Sequence, residues 1–385
     1  MSTFANFIYQ SPTLLSYGKG CVSDIATHHF IPEGARVILL YGGGSIKKNG
    51  VYDEVKKYVT PVVEFGGIEP NPHYETCMKA IKVIKENNCD FLLAVGGGSV
   101  IDATKFIDLA LDWTATADPF DMFNDGMMQK VTKPKAKIGV VLTIPATGTE
   151  TNNLFVVTHF EKKAKVLGCC DYVKPHFACV DPVHSFTLPV NQVRNGVIDA
   201  YVHVIEQYIG HYDVSAVVDQ FCEGIMRTLV HSGPLTVKDL HDYKSRADFC
   251  LAATYALNGI LGTGVQQCWA AHLIGHEITT YYGAAHGASL AMSCPAVMKF
   301  NKEKNAKKLA QLAERVYGIK NATAQDGIDC TINFFKSVGG ITTMTENKYD
   351  EQYIETIAEK FKGRKIGAHQ DISYEEVKQI FKLMQ

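Results

Sequence analysis

The chain has 385 residues, of which 46% are hydrophobic and 20% are charged, and its formal net charge is −2. These values are typical of an ordinary soluble globular protein that is long enough for two domains with sizeable cores. No basic patch indicates nucleic-acid binding. The first residues lack the charged and apolar regions of a secretion signal, and no run of about 18 apolar residues occurs, so we expect a cytoplasmic protein that does not insert into membranes.

The cysteines also favour a reducing compartment. There are eleven of them, an odd number, and they form no CxxC pair. We expect reduced thiols rather than structural disulfides, and this includes the adjacent Cys169 and Cys170.

Two segments in the N-terminal half repeat one pattern, an apolar run that ends in Gly-Gly-Gly-Ser before a helix. They are residues 36–45 and 90–99. Neither run alternates apolar with polar residues, so both are typical of strands buried on both faces of a parallel sheet. Between them, the Gly- and Pro-rich residues 65–72 predict a loop. Loops at the carboxyl ends of such strands are where open α/β sheets bind ligands.

The glycine loops are suited to phosphate binding. Without a Cβ the backbone can approach a phosphate closely, and the N–H groups of the following helix N-terminus favour the negative charge. The second loop does not match GxGxxG, because Ile101 stands where the third glycine should be, and no GxxxxGK[ST] motif occurs. A strand-ending turn without a ligand is the alternative for either loop.

The chain then changes from strands to helices. Residues 137–149 form an apolar run with a Thr/Gly-rich end, residues 155–160 and 166–169 predict a hairpin, and residues 176–180 predict a last strand. Helical periodicity follows over 191–209, 214–231, 245–261, 266–281, 304–317, 325–337 and 350–362. We therefore predict an α/β domain over residues 1–185 and an all-helical domain over residues 186–385.

The helical part contains a histidine-rich stretch. His272 and His276 are four residues apart and share a helix face, and His286 follows where the helix would be expected to break. Upstream, Asp199 and His203 are also four apart. Two helices could therefore supply ligands to one divalent ion. Spacing does not decide between His272 and His276, it matches neither HExxH nor HxxEH, and a satisfied core histidine is the alternative.

A series of motifs resembles the iron-containing (group III) alcohol dehydrogenases over nearly the whole chain. It comprises YGGGSIKKNGVYDEV, FGGIEPNPHYET, FLLAVGGGSVIDATKFI, LTIPATGTETN, GVIDAYVHVIEQY and HLIGHEITTYYGAAHG. Within that family the chain is most similar to the NADPH-dependent butanol dehydrogenases and broad-range aldehyde reductases. The resemblance implies a Rossmann-like dinucleotide-binding domain, an all-α metal-binding and catalytic domain of the dehydroquinate synthase-like architecture, and a homodimer.

The resemblance also implies individual roles. The metal ligands would be Asp199, His203, His272 and His286, and His276 would be the catalytic residue beside the nicotinamide. The residues that match cofactor-binding positions are Gly42, Gly43, Gly44, Ser45, Asn71, Gly97, Gly98, Ser99, Asp102, Thr143, Thr147, Asn152 and Lys165. Two positions depart from the family pattern without removing a ligand, since Thr149 replaces a serine and Ala285 replaces a proline.

The first glycine loop predicts NADP(H) rather than NAD(H). NAD-preferring relatives carry an Asp in this loop, which would repel a 2′-phosphate. Here the Gly43 N–H and the Ser45 hydroxyl can bind that phosphate, helped by Lys47 or Lys48. The alternative for both lysines is a solvated helix start.

The expected activity is hydride transfer from NADPH to short-chain aliphatic aldehydes, and the reverse oxidation of primary alcohols such as butanol. One divalent ion, Fe²⁺ or Zn²⁺, would act as a Lewis acid on the carbonyl oxygen while His276 supplies the proton. A metal-dependent hydrolase or lyase on the same architecture is the alternative. A hydrolase would leave the glycine loops without a purpose, and a lyase of the dehydroquinate synthase type would need a basic pocket that residues 254–268 do not show.

Overall fold

The computed structural model describes residues 4–162 and 164–385, which form two compact units. The first unit is Gln10–Thr187, and the second combines Leu188–Gln385 with the described residues before Gln10. The sequence analysis assigned that N-terminal segment to the first domain. It belongs to the second unit instead, where the Ala5 N–H donates to the Gly264 carbonyl oxygen over 2.9 Å.

The first unit contains eight strands in its described residues. They are β1 Leu14–Tyr17, β2 Val37–Tyr41, β3 Val63–Phe65, β4 Phe91–Gly97, β5 Lys137–Ile144, β6 Leu154–His159, β7 Ala164–Cys169 and β8 Phe177–Val180. Six of them form a parallel sheet in the order β1-β8-β5-β4-β2-β3, and β6 pairs with β7 as an antiparallel hairpin. The predicted parallel sheet and hairpin are confirmed. The short edge strands β1 and β3 were not predicted.

Five α-helices accompany these strands in the described part of the first unit. They are α1 Asp24–Thr27, α2 Ser45–Lys48, α3 Val51–Tyr58, α4 Tyr74–Glu86 and α5 Gly98–Leu111. All seven residues of β4 are buried, as a strand covered on both faces requires. The helix α5 begins directly after β4, so the second glycine loop is a strand-to-helix turn at the carboxyl edge of the sheet.

The second unit is helical, apart from an isolated bridge between Ile366 and Ile372. Its helices in the described residues are α6 Val190–Tyr208, α7 Ala216–Lys238, α8 Tyr243–Ala256, α9 Ala270–Tyr282, α10 His286–Phe300, α11 Ala306–Tyr317, α12 Ala324–Ser337, α13 Ile354–Glu359 and α14 Tyr374–Lys382. The helices α10 and α14 were not predicted. None of the described helices is long and apolar enough to cross a lipid bilayer.

The helix α6 lies at the centre of this unit. Every residue from Gly196 to Tyr208 is buried, and α6 packs against α7, α8, α9 and α10. A helix surrounded on all sides is normally apolar all round. The acidic and imidazole groups on α6 are therefore exceptions that need partners, and they mark the candidate metal centre.

Candidate metal centre and glycine loops

Three helices bring the predicted ligands together. Asp199 and His203 lie on α6, His272 lies on α9, and His286 is the first residue of α10. Gly287 allows the start of α10 to meet α6, because a Cβ at this position would lie 2.3 Å from the Asn195 carbonyl oxygen. The helix α9 therefore ends at Gly283, and α10 begins close to α6 at Gly287. Together these two features determine the side from which His286 approaches the other predicted ligands.

Three imidazole nitrogens surround one carboxylate oxygen of Asp199. Asp199 Oδ1 lies 3.6 Å from His203 Nε2, 3.6 Å from His272 Nε2 and 3.5 Å from His286 Nε2. Two ligands bound about 2.1 Å from one tetrahedral ion are about 3.4 Å apart. The ligand atoms of Asp199, His272 and His286 all lie within 4.8 Å of one another. His203 is outside that closest group, with its ring stacked on His272 at a centroid distance of 4.6 Å.

The hydrogen bonding supports the same reading. Asp199 Oδ1 and His272 Nε2 are buried and have no hydrogen-bond partner among the described residues. Such groups are costly to bury unless something else satisfies them. An aspartate oxygen and neutral imidazole nitrogens suit a first-row divalent ion such as Fe²⁺ or Zn²⁺. The residues present therefore fit the metal that the sequence predicts.

Glu206 is a residue of the centre that the sequence analysis missed. Its carboxylate accepts the His272 Nδ1–H over 2.5 Å, and it also accepts the backbone N–H groups of Ala271 at 2.7 Å and His272 at 3.0 Å. The first contact keeps the proton on Nδ1 and leaves the Nε2 lone pair for a metal. The other two contacts cap the start of α9. Glu206 could have been found, since Asp199, His203 and Glu206 share one helix face.

Burial and neighbouring charges both shift the pKa values of the ionisable groups in the centre. Burial raises the pKa of Asp199, but the surrounding imidazoles of His203, His286 and His272 outweigh it and hold the pKa below its usual range. Burial lowers the pKa of His203 to about 4, which keeps this predicted ligand neutral. Burial also lowers the pKa of His272, yet Asp199 and Glu206 outweigh it and raise the pKa to about 9. A metal ion at His272 Nε2 would therefore have to displace a proton.

His276 lies one helical turn after His272 on α9. Its ring centroid is 5.0 Å from that of His286 and 6.4 Å from that of His272. The two histidines that spacing could not separate therefore differ in position. The Nε2 of His272 lies 3.6 Å from Asp199, whereas His276 borders the ligand rings.

In the first unit, several predicted cofactor residues meet at the carboxyl edge of the sheet. A Cβ at Gly98 would lie 2.9 Å from Thr147 Oγ1, so the second glycine loop touches the loop after β5. The Asn71 N–H donates to Ser99 Oγ over 3.2 Å, and Lys165 Nζ donates to Asn71 Oδ1 over 2.9 Å. Thr143 and Asn152, on β5 and in the loop that follows it, are both buried.

Asp102, which is predicted among the cofactor-binding residues, bonds through both carboxylate oxygens to residues that follow β5. Its Oδ1 accepts the Thr149 hydroxyl over 2.6 Å, and its Oδ2 accepts the Val156 N–H over 3.0 Å. One carboxylate oxygen therefore holds the loop after β5, and the other holds strand β6. The hydroxyl of Thr149 explains why threonine can replace the family's serine at this position.

Lys105 completes this network, and the sequence analysis missed it. Its side chain is fully buried, and Nζ donates to Thr149 Oγ1 at 2.8 Å, Asn152 Oδ1 at 3.0 Å and Leu154 O at 2.8 Å. Burial lowers the pKa of Lys105 to about 7, against the opposing effect of Asp102 and Glu150. A lysine in an apolar helix carries no sequence signal for partners that lie more than 40 residues away in the chain.

The first glycine loop follows β2, next to β4 in the sheet. Gly44 has φ +93° before α2, and a Cβ at Gly42 would lie 3.2 Å from the Ile68 carbonyl oxygen. Lys47 Nζ lies 4.8 and 4.9 Å from the ring centroids of Tyr41 and Tyr52. Lys47 is exposed on α2, and its ammonium group lies over these two aromatic rings.

Comparison with known proteins gives the same family twice. The iron-containing alcohol dehydrogenase family matches residues 12–182, and its C-terminal domain family matches residues 193–384. The chain is 52% identical to NADP-dependent alcohol dehydrogenase 3 of Entamoeba histolytica and 40% identical to NADPH-dependent aldehyde reductase YqhD of Escherichia coli, each over 98% of both chains. The crystal structure of E. coli K-12 YqhD covers 100% of both chains with a TM-score of 0.94 at 39% identity.

The fold and these matches define a metal-dependent oxidoreductase. The chain belongs to the iron-containing alcohol dehydrogenase family, as the sequence resemblance indicated. Its activity is that of an alcohol dehydrogenase or aldehyde reductase, and the metal-dependent lyase and hydrolase alternatives are not supported.

Proposed function

We propose that the enzyme reduces short-chain aliphatic aldehydes with NADPH and, in reverse, oxidises primary alcohols such as butanol. The observation that carries the proposal is the approach of three imidazole Nε2 atoms to within 3.5 to 3.6 Å of Asp199 Oδ1. The names of the relatives that use NADP or NADPH support the choice of cofactor. So does a first glycine loop without an acidic residue.

Asp199, His203, His272 and His286 are the proposed metal ligands. When bound, an Fe²⁺ or Zn²⁺ ion supplies Lewis-acid polarisation of the substrate carbonyl oxygen. One carboxylate and three neutral imidazoles leave such an ion with a net charge of about +1. Glu206 keeps His272 in the required tautomer, and the burial of Asp199 and His203 excludes water that would compete for these ligands.

His276 is the proposed proton donor. When bound, NADPH would supply a hydride for the carbonyl carbon, and the carbonyl oxygen would then need a proton. An imidazole has an ordinary pKa of about 6.5 and can donate a proton near neutral pH. The ring centroid of His276 lies 5.0 Å from that of His286. This position supports a role for His276 as proton donor beside the proposed metal ligands.

The cofactor is proposed to bind at the carboxyl edge of the sheet. Gly97, Gly98 and Ser99 at the start of α5 would hold the pyrophosphate, since the helix N-terminus offers N–H groups to an anion. Thr143, Thr147 and Asn152 would form the second side of the site, and Lys165 with Asn71 would contact a ribose. The 2′-phosphate would contact Gly42, Gly43, Gly44 and Ser45, with the charge of Lys47 nearby. Asp102 supports this site through Thr149.

The proposal also includes a cytoplasmic homodimer. The N-terminal segment exposes apolar side chains, with Phe4 and Phe7 each 50% and Ile8 99% accessible. Apolar surface of this kind marks an interaction site. All eleven cysteines lie in the described residues as free thiols, which suits a reducing compartment. Light scattering after size-exclusion chromatography tests the dimer, and Ile8→Glu should produce monomers.

The first test of the proposed function is the loss of NADPH absorbance, and separately NADH absorbance, with butyraldehyde. Purified protein is measured before chelation, after chelation, and after addition of Zn²⁺ or Fe²⁺. Turnover with NADPH that chelation abolishes and one metal restores is the expected result. Turnover that survives complete metal removal would contradict the proposed centre, and equal use of NADH would contradict the proposed cofactor preference.

A further inference from the structure

Trp269 stands out beside the metal centre because its backbone is left-handed. It precedes α9 by one residue with φ +61° and ψ +7°, a conformation that bulky L-residues rarely adopt. Its side chain makes no cap for the helix, so capping does not explain the strain. Strained residues persist where the surroundings fix them, and they are concentrated at functional sites.

The surroundings hold Trp269 from several sides. Its indole Nε1–H donates to Gln267 Oε1 over 2.7 Å. The Gln267 amide in turn lies against Gly262, where a Cβ would be 2.2 Å from Gln267 Nε2. The backbone on both sides of Trp269 is bonded to Glu206. The Cys268 N–H donates to the Glu206 carbonyl oxygen at 2.7 Å, and the Ala271 N–H donates to the Glu206 carboxylate at 2.7 Å. The indole is therefore fixed in place.

The fixed indole lies against two metal ligands. Its ring centroid is 5.2 Å from that of His272, edge to face at 66°, and 6.3 Å from that of His203. Trp269 is only partly buried. Because its single N–H is already used by Gln267, the remaining accessible surface of the indole is carbon. A fixed apolar ring thus lies beside two of the proposed metal ligands, close to where the proposed function requires the substrate carbonyl.

We infer that Trp269 is a specificity-determining residue whose indole contacts the aliphatic chain of the aldehyde or alcohol. The inference rests on the proposed function, because it needs the carbonyl to be held at the metal centre. It assigns a chemical preference to the site: each added methylene that reaches the indole is buried against carbon. Burying one methylene stabilises a complex by about fourfold in affinity, so two methylenes give about 15-fold.

The alternative is that the indole only supports the ligand rings. In that case its removal would weaken metal binding and would slow all substrates by the same factor. A substrate contact would instead change the ratio of kcat/KM between long and short aldehydes, while the metal stays bound. These two outcomes separate specificity from support.

The chain allows a direct spectroscopic test because it has two tryptophans. Trp113, whose Nε1–H donates to Thr116, is outside the proposed site, so Trp113→Phe leaves Trp269 as the single indole. Co²⁺ added to this metal-free variant should quench Trp269 emission, whereas Zn²⁺ should not. Butyramide, a non-reacting aldehyde mimic, should then change the emission of the Zn²⁺-loaded variant with NADPH present, at lower concentration than acetamide.

Kinetics of two further variants complete the test. Trp269→Phe keeps an apolar ring and should retain the wild-type ratio of kcat/KM for butyraldehyde over acetaldehyde. Trp269→Gly accepts the left-handed backbone but lacks the ring, and its ratio should fall about 10-fold with one metal per chain retained. An unchanged ratio in Trp269→Gly, or no emission change with butyramide, would overturn the inference. Absence of quenching by Co²⁺ would instead refute the metal centre of the proposed function.

Discussion

Replacement of Glu206 by glutamine tests how the metal centre is built. Glu206 accepts three hydrogens, from the Ala271 N–H, the His272 N–H and the His272 Nδ1–H, at 2.5 to 3.0 Å. Glutamine has nearly the same shape, but one of its two terminal groups is a donor. In place of Oε1 the amide NH₂ would meet the Ala271 N–H and leave His272 with a neutral acceptor. In place of Oε2 it would face His272 Nδ1, and the imidazole proton would move to Nε2. The atom that should bind the metal is then protonated.

The expected size of the effect follows from this tautomer change. Loss of an outer partner of a metal-binding histidine typically weakens metal affinity about 10- to 100-fold, which corresponds to about 1.4 to 2.7 kcal/mol. The assay is a titration of chelator-treated protein with Zn²⁺ against a competing chromophoric chelator. Because the three other proposed ligands are unchanged, binding should be weakened and not abolished.

A matched control removes the same charge at a site away from the centre. Glu223 is also buried in the helical unit, where its carboxylate accepts the Tyr208 hydroxyl at 2.9 Å and the Gln311 amide at 3.0 Å. Glu223→Gln should leave Zn²⁺ affinity within a factor of about 2 of the wild type, since no metal ligand contacts it. Equal Zn²⁺ affinity in Glu206→Gln and wild type would refute the tautomer argument. Equal losses in the two variants would mean that general destabilisation causes the effect.

Three further predictions follow from the site. His272→Ala should lose the metal, whereas His276→Ala should keep it and slow turnover by about 10² to 10⁴. The metal content and the kcat of each variant test this difference. Equal metal loss in both variants would contradict the assignment. Zn²⁺ affinity should rise with pH through the neutral range by up to about one log unit per pH unit, because a proton on His272 competes with the metal. Asp199 and Glu206 outweigh burial and raise the pKa of His272. A flat affinity profile in Zn²⁺ titrations between pH 6.5 and 8.5 would contradict this prediction. Thr149→Val should raise KM for NADPH and lower Tm, because it breaks the hydrogen-bonded link from Lys105 to Asp102. Thr149→Ser keeps the hydroxyl and should behave as wild type. Identical KM and Tm values for the two variants would rule out this role of the hydroxyl.

The main strands and the metal-bearing helices were predictable because their signals are local. Uninterrupted apolar runs gave β2, β4 and β5, and helical spacing gave α6 and α9. The helix α10 was missed because most of its residues are buried and apolar, with Pro295 inside, so it lacks a clear contrast between an apolar face and an exposed polar face. The strand β3 has three residues, too few for periodicity to appear.

The site shows the same division between local and distant signals. Asp199, His203 and the histidine-rich stretch were visible as residues four apart, but only family resemblance chose His272 over His276. Glu206 lies on the same helix face as Asp199 and His203, so its spacing in the sequence was sufficient to predict it. The partners of Lys105 come from a loop that the fold brings to α5. No periodicity within α5 could have announced them.

The start of α9 connects folding of the helical unit with metal binding. Trp269 offers no side-chain cap, so the first N–H groups of α9 depend on the Glu206 carboxylate. The same carboxylate orients His272, which means that a correctly started α9 and a correctly presented ligand require one interaction. Anything that binds the native state alone stabilises it by mass action. Metal removal should therefore loosen the helical unit around α9 first, because the ion and Glu206 hold the same turn from opposite ends of the His272 ring.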